Sequence, residues 1–213
     1  MSRGNPIFAR FYARSSKAME RTIAEHRRGL LAGLTGRVIE IGAGNGLNFG
    51  HYPPEVTEVI AIEPEPLLRR IAEDNATKAS TPIRVLDATA ERLPVDDGTC
   101  DAAVASLVLC TVRDVRASLA ELRRVLRPEG QLRFFEHVRA AHPAARTTQR
   151  LLDATVWPRC MGGCHSNRDT VSAIREAGFT VDRLDHLAFA DTRLPFPASP
   201  QILGSATSPA APE

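Results

Sequence analysis

An α/β fold on a mostly parallel sheet is what this sequence predicts, and three observations carry the prediction. Short runs rich in Val and Ile alternate along the chain with stretches of helical period. The run Ala102 to Leu109 is almost wholly apolar, as suits a central parallel strand covered on both faces. The first such run, Val38 to Ile41, leads straight into a turn with glycines at 42, 44 and 46. Open parallel sheets hold their ligands at such strand ends.

Residues 1–34 read as a basic and apolar helical segment, expected to form an N-terminal lid. Thr35 and Gly36 then turn into the first strand, Arg37 to Ile41. A second strand spans about Glu58 to Ile62. Pro64 and Pro66 follow, and proline is well tolerated in a first helical turn. Leu67, Leu68, Ile71 and Ala72 share one face of a helix over 65–78. Pro82 to Asp87 is the third strand and Ala102 to Leu109 the fourth. Asp114 can cap the next helix, whose core face is Val115, Leu119, Leu122, Val125 and Leu126. Arg123, Arg124 and Arg127 crowd its C-terminal end, where the helix dipole favours cations, and Pro128-Glu129-Gly130 stops it. Gln131 to Val138 is the fifth strand. Ser166 or Asn167 is expected to cap a helix that ends at Gly178, and Asp169, near its first turn, is also read as a capping residue favoured by the dipole. Phe179 to Phe189 and Gln201 to Ala206 complete the strands. The domain is expected over 35–207, with 208–213 as a loose tail.

With 213 residues the chain suits one large domain. Its net charge of +2 makes no strong call on nucleic acid. No apolar run approaches the ~20 residues that cross a bilayer, and the N-terminus lacks the apolar core of a secretory signal. The cysteines at 100, 110, 160 and 164 look reduced and packed rather than paired. A cytoplasmic protein is the expectation, without stable membrane association. Oligomeric state is not readable.

The ligand-bearing residues should be those that end strands: Glu40 to Gly46, Glu63, Asp87, Ser106 to Leu109, and Glu136 with His137. A P-loop is excluded, because no Gly-Lys pair exists. The dinucleotide fingerprint Gly-x-Gly-x-x-Gly is broken, since Gly46 arrives one residue early and Leu47 holds the last position. Glu63 follows Gly42 by 21 residues and can accept both ribose hydroxyls, which suits NAD and S-adenosyl-L-methionine (SAM) alike. Asp87 can accept an adenine amino group. Glu40 beside the glycines is awkward for a pyrophosphate. It favours a ligand carrying an α-amino group and a sulfonium, both positive.

Glu40-Ile-Gly-Ala-Gly-Asn-Gly46, Glu63, Asp87-Ala-x-x-Glu91-x-Leu-Pro94, Asp101-x-x-x-Ala-Ser106 and Leu122-x-Arg-Val-Leu-x-Pro128-x-Gly130 resemble the successive motifs of class I SAM-dependent methyltransferases. The resemblance covers roughly residues 35–206. It implies a Rossmann-like, seven-stranded sheet in the order 3-2-1-4-5-7-6, last strand antiparallel, with helices on both faces. It also implies SAM as cofactor, S-adenosyl-L-homocysteine as product and a small-molecule methyl acceptor. Carried onto this chain, cofactor contacts are expected from Tyr12, Glu40, Gly42, Ala43, Gly44, Gly46, Asn48, Glu63, Pro64, Asp87, Ala88, Ser106 and Leu107. Ser106-Leu-Val-Leu-Cys110-x-Val112, Phe134-Phe-Glu-His-Val138 and Gly162-Gly-Cys-His-x-Asn-Arg-Asp169 are similar to the methyltransferase-like 7 family, whose members methylate small thiols. That family carries an N-terminal hydrophobic anchor. No such segment is present here, so a soluble enzyme is expected. Thiol S-methylation is the leading expectation. O-, N- or C-methylation of a secondary metabolite or quinone stays open, as does a SAM-binding partner without turnover. Leu47 disfavours an NAD oxidoreductase.

His137, at the carboxyl end of the fifth strand, is the candidate base; otherwise it is tied to a loop carbonyl. His165 is the second candidate, against a plain surface role. By strand alternation only one of Glu136 and His137 should line the pocket. Cys160-x3-Cys164-His165 raises a zinc question, but the spacing fits no ribbon or finger, and no metal is expected. Capture of an arsenic acceptor by thiolates is as weak, so Cys164 is expected to pack or line the acceptor pocket. Phe8, Phe11, Tyr12 and Met19 form an apolar stripe. It reads as a helix packed on the domain or, functionally, as a lid with Tyr12 touching cofactor or acceptor. Arg3, Arg10, Arg14, Lys17, Arg21, Arg27 and Arg28 read as a solvated face. The acceptor pocket is expected from the N-terminal segment, residues 138–166 and the 189–200 loop.

Overall fold

The computed structural model describes residues 6–188, 198 and 200–211; at 6, 7, 17–22 and 188 it describes the backbone alone. The β-branched runs become β1 (Gly36–Ile41), β2 (Val56–Ile62), β3 (Ile83–Leu86), β4 (Cys100–Ser106), β5 (Leu126–His137), β6 (Thr180–Ala188) and β7 (Pro200–Thr207). They form one sheet in the order β3-β2-β1-β4-β5-β7-β6. β7 runs antiparallel to both its neighbours, and the other pairs are parallel. Order and sense are those the sequence motifs imply.

Side-chain alternation sorts the core into two layers. Val38, Val59, Ala61 and Val104 pack with Ile23, Leu30 and Leu31 of α1 (Pro6–Leu31). Ala72 of α2 (Pro66–Ala76) joins the same layer. Ile39, Ile41, Ile60, Ile62, Ala103 and Ala105 face the other way, toward Leu119 and Leu122 of α3 (Val115–Val125). Helices therefore cover both faces of the sheet.

β4 is shorter than its apolar run predicts. Leu107 takes a φ of 56°, and the chain leaves the sheet there. The cause is Glu136 on β5, whose carboxylate accepts the backbone N–H groups of Val108, Leu109 and Cys110 at 3.0, 2.8 and 3.2 Å. Asp114 caps α3 by accepting from Arg116 and Ala117. α3 ends at Val125, ahead of the Pro128-Glu129-Gly130 turn, which falls inside the β5 segment.

Two helices went unread in the sequence, α4 (Pro143–Asp153) and the single turn α5 (Trp157–Cys160). α4 explains a corrected cap. Its Asp153 accepts Ser166 N–H, Ser166 Oγ–H and Asn167 N–H. The cap of α6 (Thr170–Glu176) falls not to Ser166 or Asn167 but to Asp169, as the capping reading of that residue expects; it accepts from Ser172 N–H. Ser208, the first residue of the expected tail, is buried and donates its N–H to Gly130 at 2.8 Å. The basic face of α1 also has an exception, because Arg27 is buried while Arg10, Arg14 and Arg28 are exposed. Arg3 lies outside the described residues, as do the side chains of Lys17 and Arg21.

Gly204 sits where β7 threads between β5 and β6. A Cβ there would lie 2.5 Å from the Arg183 carbonyl oxygen and 2.5 Å from the Phe134 ring. Gly204→Ala should cost at least about 1–3 kcal/mol, the range for overpacking. Urea denaturation checks this, and an unshifted midpoint would show that the sheet opens there without strain.

Candidate active site

β1 delivers the chain into a turn whose Gly42, Gly44 and Gly46 have φ of 62°, 59° and 75°, a region that favours glycine over residues with a Cβ. Two buried carboxylates organise it. Glu63, at the end of β2, accepts Gly44 N–H at 2.8 Å through Oε2 and Glu65 N–H at 2.8 Å through Oε1. Burial pushes its carboxyl up to about 7, against the pull of those two bonds. Glu40 accepts from Asn48 Nδ2 and from the Tyr52 hydroxyl, each at 2.7 Å. Burial raises it to about 6 despite both bonds. Arg27 donates to Asn48 Oδ1 at 2.7 Å and completes the network. Ala43 is buried in the same turn and donates its N–H to the Ile62 carbonyl.

α1 lies over this turn. A Cβ on Gly44 would stand 3.2 Å from the Tyr12 ring, and Asn45 Nδ2 donates to Ser16 Oγ at 3.0 Å. Tyr12 stacks on Phe8 with centroids 5.9 Å apart. Phe8 in turn meets Gly162, where a Cβ would lie 2.2 Å from its ring. Phe11 departs from the predicted stripe and is 58% exposed. The side chain of Met19 lies outside the described residues.

Of the other strand-end candidates, Pro64 is buried and Ala88 is half-buried. Asp87 is exposed and paired with Arg69 at 3.1 Å. Arg69 also donates to the carbonyls of Glu63 and Pro64. Ser106 Oγ is buried with no hydrogen-bond partner among the described residues, and Leu107 follows it at the positive φ. A buried carboxylate with lone pairs left over and an orphaned buried hydroxyl are polar groups that suit an adenosyl ligand with a cationic tail.

A second cluster of side chains gathers at the ends of β4 and β5, where the sequence places the acceptor. Glu136 is fully buried and turned to the Val108–Cys110 turn; burial raises its carboxyl to about 7. His137 is half-buried, and its Nδ1 stands 3.7 Å from Cys110 Sγ and 3.7 Å from Cys164 Sγ. The pairing of the two thiols pushes Cys110 up and draws Cys164 down. His165 turns away from this trio: its Nδ1 meets the Gly163 carbonyl at 2.8 Å, and its backbone N–H donates to the Cys110 carbonyl at 2.8 Å. Cys160 is exposed, so the Cys160–Cys164–His165 grouping of the sequence does not assemble. Cys164 joins Cys110 and His137 instead.

Sequence reasoning missed the clamps on this side. Arg168 donates to the carbonyls of Leu109 and Val112. Gln149 of α4 accepts Ala140 N–H and donates to Val138 and Ser166 carbonyls. The available signal was the i, i+4 spacing of Gln149 and Asp153 on one face of α4. An open cavity of about 490 Å³ lies beside the clamps, lined by Phe8, Leu68, Thr111, Gly163, His165 and Arg168 among others. A larger groove of about 660 Å³ between α3 and α6 is remote from the strand ends. Residues 189–197 and 199, expected to contribute to the acceptor pocket, lie outside the described residues.

Fold and site together define a class I methyltransferase domain. A methyltransferase domain family matches residues 39–134. The chain is 34% identical over 211 residues to thiol S-methyltransferase TMT1B of Rattus norvegicus, covering 94% of this chain and 84% of that one. It is 35% identical over 165 residues to thiol S-methyltransferase TMT1A of Homo sapiens, covering 73% of this chain and 66% of that one. Among solved structures, the YcgJ protein of Bacillus subtilis superposes with a TM-score of 0.69 at 19% identity, over 88% of this chain and 100% of the other. The chain belongs to the SAM-dependent methyltransferase family that includes the TMT1 proteins, and SAM is its cofactor. Among the described residues no helix is long and apolar enough to cross a membrane.

The Glu40 network has a pH signature. Its carboxyl titrates higher folded than unfolded, so it withdraws stability as pH rises through about 6. Tyr52→Phe removes a donor to the charged form and raises that carboxyl further. The expected loss is about 1.5–3 kcal/mol above roughly pH 7 and clearly smaller below roughly pH 5, where Glu40 is protonated. Denaturant midpoints at the two pH values check it. Equal losses would assign the hydroxyl to packing alone.

Proposed function

We propose that the protein methylates a small thiol at sulfur. The observation that carries this reading is the extent of the TMT1B match. It spans 94% of the chain and so runs well past the 39–134 domain into α4 and the Gly162–Asp169 loop, where the acceptor side is built. The chemistry of that wall agrees. It offers two sulfurs and one imidazole at the ends of β4 and β5, a soft surface beside which a thiol needs only to lose its proton.

Bound SAM supplies a methyl group on a sulfonium that leaves readily. The chain's own residues do the rest. Glu63 accepts the ribose hydroxyls, and Asp87 accepts the adenine amino group beside Arg69. Gly42, Ala43, Gly44 and Gly46 admit the methionine portion close to the backbone. Glu40 adds negative potential for its amino group while holding Asn48 in place. Pro64, Ala88, Ser106 and Leu107 line the adenosyl groove. Tyr12 closes over Gly44 and excludes water. His137 stands where the acceptor's proton must go, with His165 farther back as part of the clamp. Alignment of acceptor and methyl in such a site is worth up to about 7–11 kcal/mol.

Two outcomes are expected. Ribose hydroxyls donate to the ionised form of Glu63, whose carboxyl rests at about 7. S-Adenosylhomocysteine affinity should therefore rise with pH through about 7 and level off above it, with proton uptake by the buffer on binding below that point. Calorimetry in buffers of different ionisation enthalpy reads both. Glu63→Gln should flatten the profile and weaken binding roughly 10-fold or more; an unchanged profile would remove Glu63 from the ribose.

His137→Ala should lower kcat for thiol methylation by about 10²-fold or more while S-adenosylhomocysteine affinity moves little. Mass-spectrometric assay of small thiols, phenols and amines, with wild type and variant, checks this. Methylation of phenols or amines in preference to every thiol would overturn the thiol reading.

A further inference from the structure

Three metal-binding atoms meet at one point on the acceptor wall. Cys110 Sγ, Cys164 Sγ and His137 Nδ1 lie within 4.8 Å of one another, and each sulfur is 3.7 Å from Nδ1. They come from three separate places: the turn after β4, the loop before α6 and the end of β5. A nitrogen–sulfur separation of this size is within reach of a hydrogen bond to sulfur, and it also suits two ligands of one metal ion. It is close to the edge of a coordination tetrahedron. Zn–S of about 2.3 Å and Zn–N of about 2.0–2.1 Å give an S···N edge of about 3.6 Å at the tetrahedral angle. Both thiols are free and buried, with Cys110 1% and Cys164 6% exposed.

The backbone behind the trio is locked. Glu136 holds the N–H groups of Val108, Leu109 and Cys110. His165 N–H bonds the Cys110 carbonyl and so ties the two cysteine segments together. Arg168 grips the carbonyls of Leu109 and Val112 on either side of Cys110. Supporting contacts of this kind set the precision of a metal site.

We infer that Cys110, Cys164 and His137 form a three-ligand zinc site whose fourth position takes the sulfur of the acceptor thiol. The inference deepens the thiol-methylation reading and rests on it for the identity of the fourth ligand. Two thiolates and an imidazole select zinc over magnesium or calcium. Three protein ligands with one open position is the arrangement of catalytic rather than structural zinc. An acceptor thiol bound there gives its proton to solvent and becomes a zinc-held thiolate at neutral pH. Its sulfur lone pair forms the new S–CH₃ bond as the C–S bond of the sulfonium donor breaks, and that electron pair stays on the departing sulfur. Thiolate and sulfonium end as two neutral thioethers, and the methylated product is a weak zinc ligand that leaves. His137 is then a ligand, and the ion takes over the deprotonation.

The test uses the full chain, stripped with a chelator and titrated with Zn²⁺ against a chromophoric competitor, with Co²⁺ as spectroscopic probe. One equivalent of either ion should bind. The Co²⁺ form should show tetrahedral visible bands and thiolate-to-cobalt charge transfer. Cys164→Ser should weaken Zn²⁺ by at least about 100-fold, since even outer partners of such ligands are worth 10–100-fold, while Cys160→Ser changes nothing. S-Adenosylhomocysteine binding reports that each variant is folded. The wild-type Co²⁺ spectrum reads ligation even if a variant is not. No uptake, octahedral cobalt without charge transfer, uptake untouched by Cys164→Ser, or closure of Cys110 and Cys164 into a disulfide that no reductant-treated protein exchanges for zinc would each overturn the site. Thiol methylation at full rate by the metal-free protein would overturn the role of the ion and leave the thiol reading standing. Zinc bound as described in a protein that methylates no thiol would confirm the three ligands and overturn the acceptor.

Discussion

Backbone N–H groups that leave a parallel sheet at the carboxyl ends of its strands have no strand partner, and buried carboxylates supply one here. Glu136 of β5 takes three successive N–H groups from the turn after β4. Glu63 of β2 takes Gly44 from the turn after β1 and Glu65 from its own exit. Glu40 of β1 reaches the same turn through Asn48 and Tyr52. Unpaired buried donors cost roughly 1–3 kcal/mol each, so these acids hold the shape of the site before any ligand arrives. Each serves a loop other than the strand that carries it, or the far end of its own. The loops therefore cannot shift independently.

The same arrangement fixes the electrostatics. Burial raises all three carboxyls, to about 6 for Glu40 and about 7 for Glu63 and Glu136. Near neutral pH the strand ends thus carry incompletely ionised acids in a poorly solvated place. A ligand with cationic groups favours their charged forms, and a pyrophosphate would oppose them. SAM, with its cationic amino group and sulfonium, is a ligand that suits such acids.

Much of this was legible in the sequence because it rests on local signals. Strand runs, the capping of α3 by Asp114 and the glycine turn are each decided within a few residues. The departures share a different origin. β4 stops at Ser106 because Glu136, distant in sequence, draws the next three N–H groups away. Asp169 rather than Ser166 caps α6 because Asp153 already holds Ser166. Arg27 looked like one more solvated cation until Asn48 came within reach. Cys164 was read beside its sequence neighbours Cys160 and His165, whereas the sheet brings it to Cys110 and His137. Sequence spacing exposes neighbours along one element. It is blind to groups that three elements deliver to one point.

One turn of α1 joins the two halves of the site. Tyr12 rests on Gly44 in the glycine turn, Phe8 rests on Gly162 in the loop before α6, and the two rings stack on each other. Both glycines have positive φ, and a Cβ at either would press on a ring, lightly at Gly44 and severely at Gly162. The helix can seat fully only when the glycine turn and the Gly162 loop both hold these shapes. Removing α1 from its place would open both sides at once to water. A single element therefore bridges the glycine turn and the Gly162 loop, so that order in one favours order in the other.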